Sequence, residues 1–403
     1  MSHTRGRITV GVTQNKQGMK VLVLGAFLQL FLGIIYVWSV FVMPVSEFYS
    51  WSVDSVKLTS SFMLCFFVVG ILVGGKLLPK LGASKVVLIG GVMLAAGMLV
   101  SAFIPMEYPW LIYITYGVIG GFGVGAAYNA NISSAQKWFP KNRGFATGVS
   151  VCAFGFSTVI FAPLVEILVG SLGLQNTFIA LSAVFLAVVL AVFSFIKMPD
   201  MTASGNADNA ELLKKKQFTS SEMLRTKEFY FITLSMMFLT SAFFILNPSL
   251  KTLAAERGLD PAAGTLVVMI TGIANALGRL GTPLLSDKIG REKAALTIIS
   301  VTALGALSLC FVQGVWFVAA ISFIAFCYGG SSGIYPVITA DHFGIKNVGS
   351  NYGAVMMGFA VSALCFPMII GLISDVTLKF IVLGALAALG AGLIVLLMRS
   401  GKK

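Results

Sequence analysis

The sequence is poor in charged residues, histidine and cysteine. Only 11% of its 403 residues are charged and two are histidine, whereas soluble domains carry about 25% charged residues. No His, Cys and Glu residues share the spacing of a metal site, and no phosphate-binding loop or Ser-His-Asp set is recognisable. These absences argue against an ATP-driven pump and against a membrane enzyme, and they give no sign of a cofactor.

The sequence is rich instead in long apolar segments. Hydrophobic residues make up 57% of the chain, and most apolar segments are long enough to span a bilayer as a helix. The five cysteines all lie inside these segments, which indicates small buried side chains rather than a disulfide framework. We therefore predict an all-α membrane protein with twelve transmembrane helices. The predicted spans are residues 20–45, 56–78, 84–104, 109–136, 144–169, 172–197, 229–250, 261–285, 294–313, 315–340, 351–373 and 376–398.

The net charge of +13 reflects how the cations are distributed among the loops. An even number of spans places both termini on one side, together with the loops at 76–85, 137–143 and 286–293 and the polar segment 198–228. Most Lys and Arg residues fall on that side. Those on the opposite side are Lys57, Lys251, Arg257 and Lys379. The positive-inside rule then places both termini in the cytoplasm of an inner-membrane protein, whose partner is the lipid bilayer and not nucleic acid.

The polar segment 198–228 divides the spans six and six, and loops of the two halves match each other. Gly75–Gly82 after span 2 matches Pro283–Arg291 after span 8, and Trp138–Gly144 after span 4 matches His342–Asn347 after span 10. Two such halves are the plan of a two-bundle transporter with its site at the membrane midplane. The predicted regions are a cytoplasmic tail (1–19), an N-terminal six-helix bundle (20–197), a cytoplasmic central loop (198–228), a C-terminal six-helix bundle (229–398) and a second cytoplasmic tail (399–403).

Arg279 is the strongest candidate for a functional residue. It lies in Pro261–Leu285, which has no other charge, with Asp260 and Asp287 as its nearest charged neighbours in sequence. An intramembrane charge is costly, and Arg cannot escape that cost because its guanidinium does not deprotonate. The spans contain few carboxylates, so we expect the substrate to supply the anion. Asn275 lies one turn earlier on the same helix face and can orient the guanidinium or bind the substrate. The alternative for both residues is hydrogen bonding between helices.

The loop motifs resemble the signature of the major facilitator superfamily. Each copy keeps part of the signature, but Pro79 in the first copy stands where Asp is usual, which removes any gating contact that requires this Asp. The kept residues are Asp287, Lys288, Gly290 and Arg291 in the second copy and Gly75, Lys80, Gly82 and Lys85 in the first. The resemblance implies two pseudo-symmetric bundles of six helices.

Four stretches resemble the oxalate/formate antiporter and monocarboxylate porter group of that superfamily. They are Gly33–Ser39, Trp138–Gly144, Ser221–Thr226 and Asn275–Arg279. The resemblance implies secondary transport of a small carboxylate by alternating access, with Arg279 in the substrate site.

Tyrosines in three spans are candidates to line that site. Tyr328 and Tyr335 lie seven residues apart in span 10, nearly on one helix face. The resemblance implies substrate contacts for Tyr328 and for Tyr128 in span 4. Tyr36 in span 1 and Tyr116 in span 4 are further candidates. The alternative for each tyrosine is packing between helices.

Two positions depart from the related transporters in a way that bears on the substrate. Phe359 stands where the oxalate-type antiporters carry a Lys, and Asn275 stands where animal-type monocarboxylate porters carry an Asp. One buried cation can neutralise one carboxylate, and a second carboxylate would carry an uncompensated desolvation cost. We therefore expect a monocarboxylate such as lactate, pyruvate, acetate or formate.

Proton symport is the expected coupling. A lone anion entering against a negative-inside potential meets a cost of about 2.3 kcal/mol per charge per 100 mV, and a co-transported proton removes it. The proton could travel near the substrate or use Glu166 or Asp341. Exchange of one carboxylate for another is the alternative within this class. A transporter-like receptor or scaffold is the alternative outside it, which the short tails and central loop disfavour.

Overall fold

The computed structural model describes residues 2–199, 216–247, 250–259 and 261–400. It does not describe the side chains of residues 2–15, 251–252, 261–265 and 371. Most of the predicted central loop, residues 200–215, and Asp260 therefore lie outside the described residues. Every regular element within the described ranges is helical, as predicted.

The helices follow one another with short connections. They are α1 (Ser2–Leu32), α2 (Trp38–Tyr49), α3 (Val53–Ser101), α4 (Gly121–Trp138), α5 (Arg143–Val192), α6 (Ser220–Met223), α7 (Lys227–Leu246), α8 (Leu250–Glu256), α9 (Pro261–Ile289), α10 (Arg291–Ser308), α11 (Gly314–Phe343), α12 (Val348–Gly371) and α13 (Val376–Ser400). Gly33–Val37 and Phe193–Phe195 are 3₁₀-helical, and Tyr113–Gly120, directly before α4, is π-helical.

Eight helical stretches of the described part are long and apolar enough to cross a membrane. Two of them, formed by α3 and α5, each contain two predicted spans, because the chain turns at Gly82 (φ 76°) and Gly173 (φ 77°). A positive φ places no strain on a residue without a Cβ. The predicted spans 109–136 and 294–313 correspond to the π-helical segment with α4 and to α10.

Two element boundaries differ from the sequence prediction. Helix α1 begins at Ser2, inside the region predicted as a tail, and α6 lies inside the predicted central loop. The short α6 is fixed by a capping box, in which Glu222 N donates to Thr219 Oγ1 (3.3 Å) and Thr219 N donates to a Glu222 carboxylate oxygen (2.7 Å).

The chain forms two compact units. Unit 1 comprises Met1–Phe218 with Phe343–Ala354, and unit 2 comprises Thr219–His342 with Val355–Lys403. Helix α12 therefore contributes its first turns to unit 1 and its remainder to unit 2. The predicted regions, which give all of α12 to the second bundle, stay a prediction.

Side-chain amides fix the first turns of α12 inside unit 1. Asn129 Nδ2 donates to the carbonyl oxygens of Ile71 and Gly349, each at 2.7 Å, and Asn129 is fully buried. Asn351 Nδ2 donates to the Phe218 carbonyl oxygen at 3.1 Å. Because a buried amide without partners is costly, these bonds specify which surfaces of α3, α4 and α12 meet.

Candidate functional site

Arg279 and Asn275 lie on one face of α9 in unit 2. Arg279 Nε donates a hydrogen bond to Asn275 Oδ1 at 3.2 Å, and Arg279 is only 2% exposed. Asn275 thereby fixes one edge of the guanidinium plane. A planar guanidinium held in this way can bind a carboxylate through two parallel N–H groups, so the pair has the chemistry of an anion site.

Glycines bring α11 directly against α9 at the level of Asn275. A Cβ atom on Gly329 would overlap the Asn275 carbonyl oxygen, and a Cβ atom on Gly278 would overlap the Phe326 carbonyl oxygen. Only glycine permits the two backbones to approach this closely. Tyr328 precedes Gly329, so this packing holds Tyr328 at the level of Asn275.

Tyr328 belongs to an aromatic cluster of unit 2, formed by Phe243, Phe244, Tyr328 and Phe359. The rings of Tyr328 and Phe243 stack with centroids 3.8 Å apart. Phe244 makes edge contacts with Tyr328 (5.5 Å) and with Phe359 (5.0 Å). The structure thus brings two predicted residues together with two that the sequence reasoning missed. Nothing distinguishes Phe243 and Phe244 by sequence in a chain with 32 phenylalanines.

Tyr335 lies two turns further along α11 and is fully buried. Its hydroxyl group and that of Ser235 on α7 are 2.9 Å apart and share a hydrogen bond. This contact joins α7 to α11. The structure therefore places Tyr335 in helix packing, which is the alternative considered for it, and its substrate role stays a prediction.

A second aromatic cluster lies in unit 1 and contains Tyr36, Phe67, Tyr128 and Phe154. The ring of Phe154 is central, with centroid distances of 5.5 Å to Tyr36, 4.8 Å to Tyr128 and 6.0 Å to Phe67. The structure brings the predicted residues Tyr36 and Tyr128 into one cluster. Phe67 and Phe154 were missed because no sequence spacing connects them to either tyrosine.

Tyr116 lies outside this cluster. It is fully buried, with ring centroids 4.7 Å from Trp38 and 6.0 Å from Phe178. Its hydroxyl oxygen has no hydrogen-bond partner among the described residues. The structure therefore places Tyr116 in the packing between α2, α5 and the π-helical segment.

The buried charges of the described side chains are all positive. They are Lys137, Arg143 and Arg279, and no Asp or Glu among the described side chains is buried. Lys137, at the C-terminal end of α4, contacts the Lys346 carbonyl oxygen (3.5 Å), and burial lowers the pKa of Lys137 to about 8. Of these cations, only Arg279 lies within a predicted span.

The repeated loop motif of the second half forms a group of ion pairs in unit 2. Arg291 pairs with Asp287 and, through Nε, with Asp341 at 3.2 Å, and its Nη1 donates to Ser286 Oγ at 2.6 Å. Asp341, one candidate for carrying a proton, is thus held by a cation. The other candidate, Glu166, is exposed on α5.

Comparison with known proteins agrees with this architecture. The model of the Major Facilitator Superfamily matches residues 22–364 and 232–403. The chain is 27% identical to the oxalate:formate antiporter of Oxalobacter formigenes over 331 residues, which cover 80% of this chain and 76% of that protein. It is 25% identical to monocarboxylate transporter 13 of Rattus norvegicus over 389 residues, covering 94% of this chain and 88% of that protein.

The solved structures add evidence on the fold. A crystal structure of the fucose:proton symporter of E. coli aligns with a TM-score of 0.71 at 15% sequence identity, covering 94% of this chain and 97% of that chain. The all-helical fold, the apolar spans and the family match together identify a multi-pass membrane transporter and not an enzyme. The chain belongs to the Major Facilitator Superfamily.

Proposed function

We propose that this protein is a secondary active transporter of small monocarboxylates and that Arg279 binds the carboxylate. The observation that carries the proposal is the buried guanidinium in the middle of α9, fixed by Asn275 on the same helix face. A charged residue inside a membrane bundle marks a substrate or ion pathway. The names of two relatives, an oxalate:formate antiporter and a monocarboxylate transporter, support a small carboxylate as the substrate class.

The remaining site residues select the substrate in this proposal. Asn275 and Tyr328 orient its polar groups, and Phe359 contacts its short alkyl chain. Phe359 packs edge-on against Phe244 in the aromatic cluster of unit 2, so this wall is apolar. In this proposal a single cation and an apolar residue at position 359 favour lactate, pyruvate, acetate or formate over a dicarboxylate, since a second carboxylate would be desolvated without a partner. Tyr36 and Tyr128 are candidate substrate contacts within unit 1.

The proposed coupling is proton symport, with both termini in the cytoplasm and the protein in the inner membrane. The symport makes uptake of the anion electroneutral and so independent of the membrane potential. Asp341 is ion-paired with Arg291 and Glu166 is exposed. In this proposal the proton therefore travels close to the bound carboxylate rather than on Asp341 or Glu166. Exchange of two carboxylates is the second candidate, favoured by the likeness to the oxalate:formate antiporter.

Uptake by purified protein in proteoliposomes tests this function. Labelled lactate, acetate, formate and oxalate are compared with and without an inward proton gradient, with protein-free liposomes as the control. We expect saturable uptake of at least one monocarboxylate, stimulated by the gradient, and weaker uptake of oxalate. Oxalate as the preferred substrate would refute the single-carboxylate proposal, and uptake that requires preloaded carboxylate would favour exchange.

A further inference from the structure

We propose that Lys57 forms an anion-recruiting site, one that delivers the carboxylate to Tyr36 through a pocket contained in unit 1. The pocket has a volume of about 330 Å³ and is lined by residues of α2, α3 and the 3₁₀-helical Gly33–Val37, including Tyr36, Ser39, Lys57 and Ser60. This volume exceeds that of a small monocarboxylate. The inference rests on the proposed function, because it needs an anionic substrate that enters from the side of Lys57.

The lining of the pocket includes both a cation and a residue of the aromatic cluster of unit 1. Lys57, Ser60 and Leu64 occupy one face of α3, because they are spaced three and four residues apart. Tyr36 lines the same pocket, and its ring contacts Phe154 at a centroid distance of 5.5 Å. Phe154 in turn contacts Tyr128 at 4.8 Å. The pocket therefore connects a cation to the aromatic cluster of unit 1.

The wall of this pocket is held in a fixed geometry. Trp38, which also lines it, is only 2% exposed, and its indole Nε1 donates to the Val56 carbonyl oxygen at 3.0 Å. Val56 directly precedes Lys57, so this bond fixes the backbone of α3 beside α2. Ser60 Oγ donates to the Lys57 carbonyl oxygen at 2.7 Å, which fixes the hydroxyl within the lining.

Lys57 has the character of a site that binds an anion transiently. Its Nζ lies 3.1 Å from Asp54 Oδ1, but the Lys57 and Asp54 side chains are 60% and 93% exposed. Solvent-exposed ion pairs of this kind contribute little to stability, so an incoming carboxylate can compete with Asp54 for the ammonium group. An exposed cation in the lining of a pocket raises the local concentration of anions and their association rate.

Arg257 and Lys379, two other cations on the same predicted side, do not share this position. Arg257 lies over the Phe380 ring at 5.3 Å in unit 2, and Lys379 is also in unit 2. Lys379 therefore offers a matched control, since Lys379→Gln removes the same charge from the same predicted side without altering this pocket.

Initial uptake rates in right-side-out membrane vesicles test the site. At about 10 mM salt, where the Debye length is about 30 Å, we expect Lys57→Gln to raise the KM for the monocarboxylate about three- to tenfold with kcat unchanged. The difference should shrink at about 300 mM salt. Asp54→Asn should lower KM, because it removes the competing carboxylate, and Lys57→Arg should resemble wild type.

The outcomes separate this site from the proposed function. No monocarboxylate uptake by wild type would refute the proposed function and the site together. Normal wild-type uptake with an unchanged KM in both Lys57→Gln and Asp54→Asn would overturn the recruiting site alone. A fall in kcat without a change in KM, or an equal effect of Lys379→Gln, would also overturn it. Because Asp54→Asn is expected to improve KM, a general folding defect cannot produce the predicted pair of results.

Discussion

Because Arg279 donates a hydrogen bond to Asn275, the side chain at position 275 should determine how strongly Arg279 binds an anion. Asn275→Asp would place a carboxylate at the position of the amide oxygen, 3.2 Å from Arg279 Nε, where it competes with the substrate for the cation. We expect the Kd for a monocarboxylate at pH 7 to rise about tenfold, which corresponds to about 1.4 kcal/mol.

The pH dependence distinguishes this competition from a loss of packing. The new carboxylate would form an ion pair with the nearby guanidinium, and protonation of the carboxyl group would break that pair. Affinity should therefore recover only in acid, as that group becomes protonated. Equilibrium binding of labelled substrate at several pH values measures this, with Asn275→Ala as the control that is weakened at every pH. Wild-type affinity of Asn275→Asp at pH 7 would contradict the assigned geometry.

Phe359 tests the number of carboxylates that the site accepts. Phe359→Lys replaces a ring of the aromatic cluster of unit 2 with an ammonium group, so it should weaken binding of short monocarboxylates and strengthen binding of oxalate, each about tenfold. Competition of labelled monocarboxylate uptake by unlabelled oxalate measures the change. An unaltered ranking of the two substrates would argue against Phe359 as a site residue.

At the residue scale, the sequence offers clearer signals for the polar residues of the proposed site than for the apolar ones. Arg279 stands out because a charge inside an apolar span is rare, and Asn275 follows from helical spacing. Phe243 and Phe154 carry no comparable signal, because a phenylalanine is ordinary in a membrane helix. Their positions depend on which helices pack together, and a single sequence does not encode that in any local pattern.

At the scale of helices, the contact between α9 and α11 depends on glycine. A Cβ on Gly329 would overlap the Asn275 carbonyl oxygen, so Gly329→Ala must push the helices apart, at a cost of about 1–3 kcal/mol for overpacking. We expect a lower unfolding temperature in detergent and loss of substrate binding. Gly272→Ala on α9 is the matched control, because no atom of another described helix lies within 4 Å of the position that its Cβ would take. Equal thermal stability of the two variants would refute this account of the contact.

The contact between α10 and α11 that lies outside the predicted spans should depend on pH. His342 Nε2 lies 3.1 Å from Glu292 Oε1, and this hydrogen bond is the main cause that lowers the Glu292 pKa from its ordinary value. A carboxyl group with a lowered pKa stabilises the fold above its unfolded-state pKa, and the contribution is lost as pH falls through the folded-state pKa.

Thermal unfolding of the purified protein measures this contribution. Because Glu292 is partly exposed, we expect wild type to exceed Glu292→Gln by only about 1–2 °C at pH 7, with the difference vanishing at pH values below the ordinary carboxyl range. Glu256→Gln, at an exposed carboxylate, serves as the control and should differ little from wild type at either pH. A difference that grows in acid would have the wrong sign for this contact.

The elements that sequence reasoning placed correctly are those with long apolar patterns or a glycine break. The chain turns at Gly82 and Gly173 with a positive φ, which glycine adopts without strain. Both turns lie at or beside predicted span boundaries. The π-helical Tyr113–Gly120 and the extension of α1 to Ser2 were not predicted. Neither deviation changes the hydrophobic period enough to be visible in a sequence pattern, and α6 depends on two residues of a capping box.

At the scale of the whole molecule, the twelve-span plan follows from composition, because a bilayer admits long apolar helices and little else. The coupling mode does not follow in the same way. The coupling mode depends on which group binds the transported proton. No feature of the sequence distinguishes Glu166 or Asp341 as that group. In the structure Asp341 is ion-paired with Arg291 and Glu166 is exposed, and neither observation identifies the group that carries the proton.

Proton symport predicts a specific response of the whole transporter to applied gradients. Uptake of a monoanion should rise as the external pH falls, should acidify the vesicle lumen, and should not respond to a potassium–valinomycin potential, because the co-transported proton cancels the charge. Lumenal pH dyes and labelled uptake measure these effects together. Uptake that ignores pH and needs preloaded internal carboxylate would assign the protein to exchange instead.

The central claim is that the protein transports a monocarboxylate that is bound by Arg279. Counterflow in proteoliposomes is its most direct test. Vesicles loaded with unlabelled monocarboxylate are diluted into labelled substrate, so transient accumulation requires only a loaded carrier and is independent of the coupling mode. We predict accumulation by wild type, none by folded Arg279→Ala, and little by Arg279→Lys, since lysine lacks the bidentate fork. Accumulation by Arg279→Ala equal to that of wild type would contradict the account.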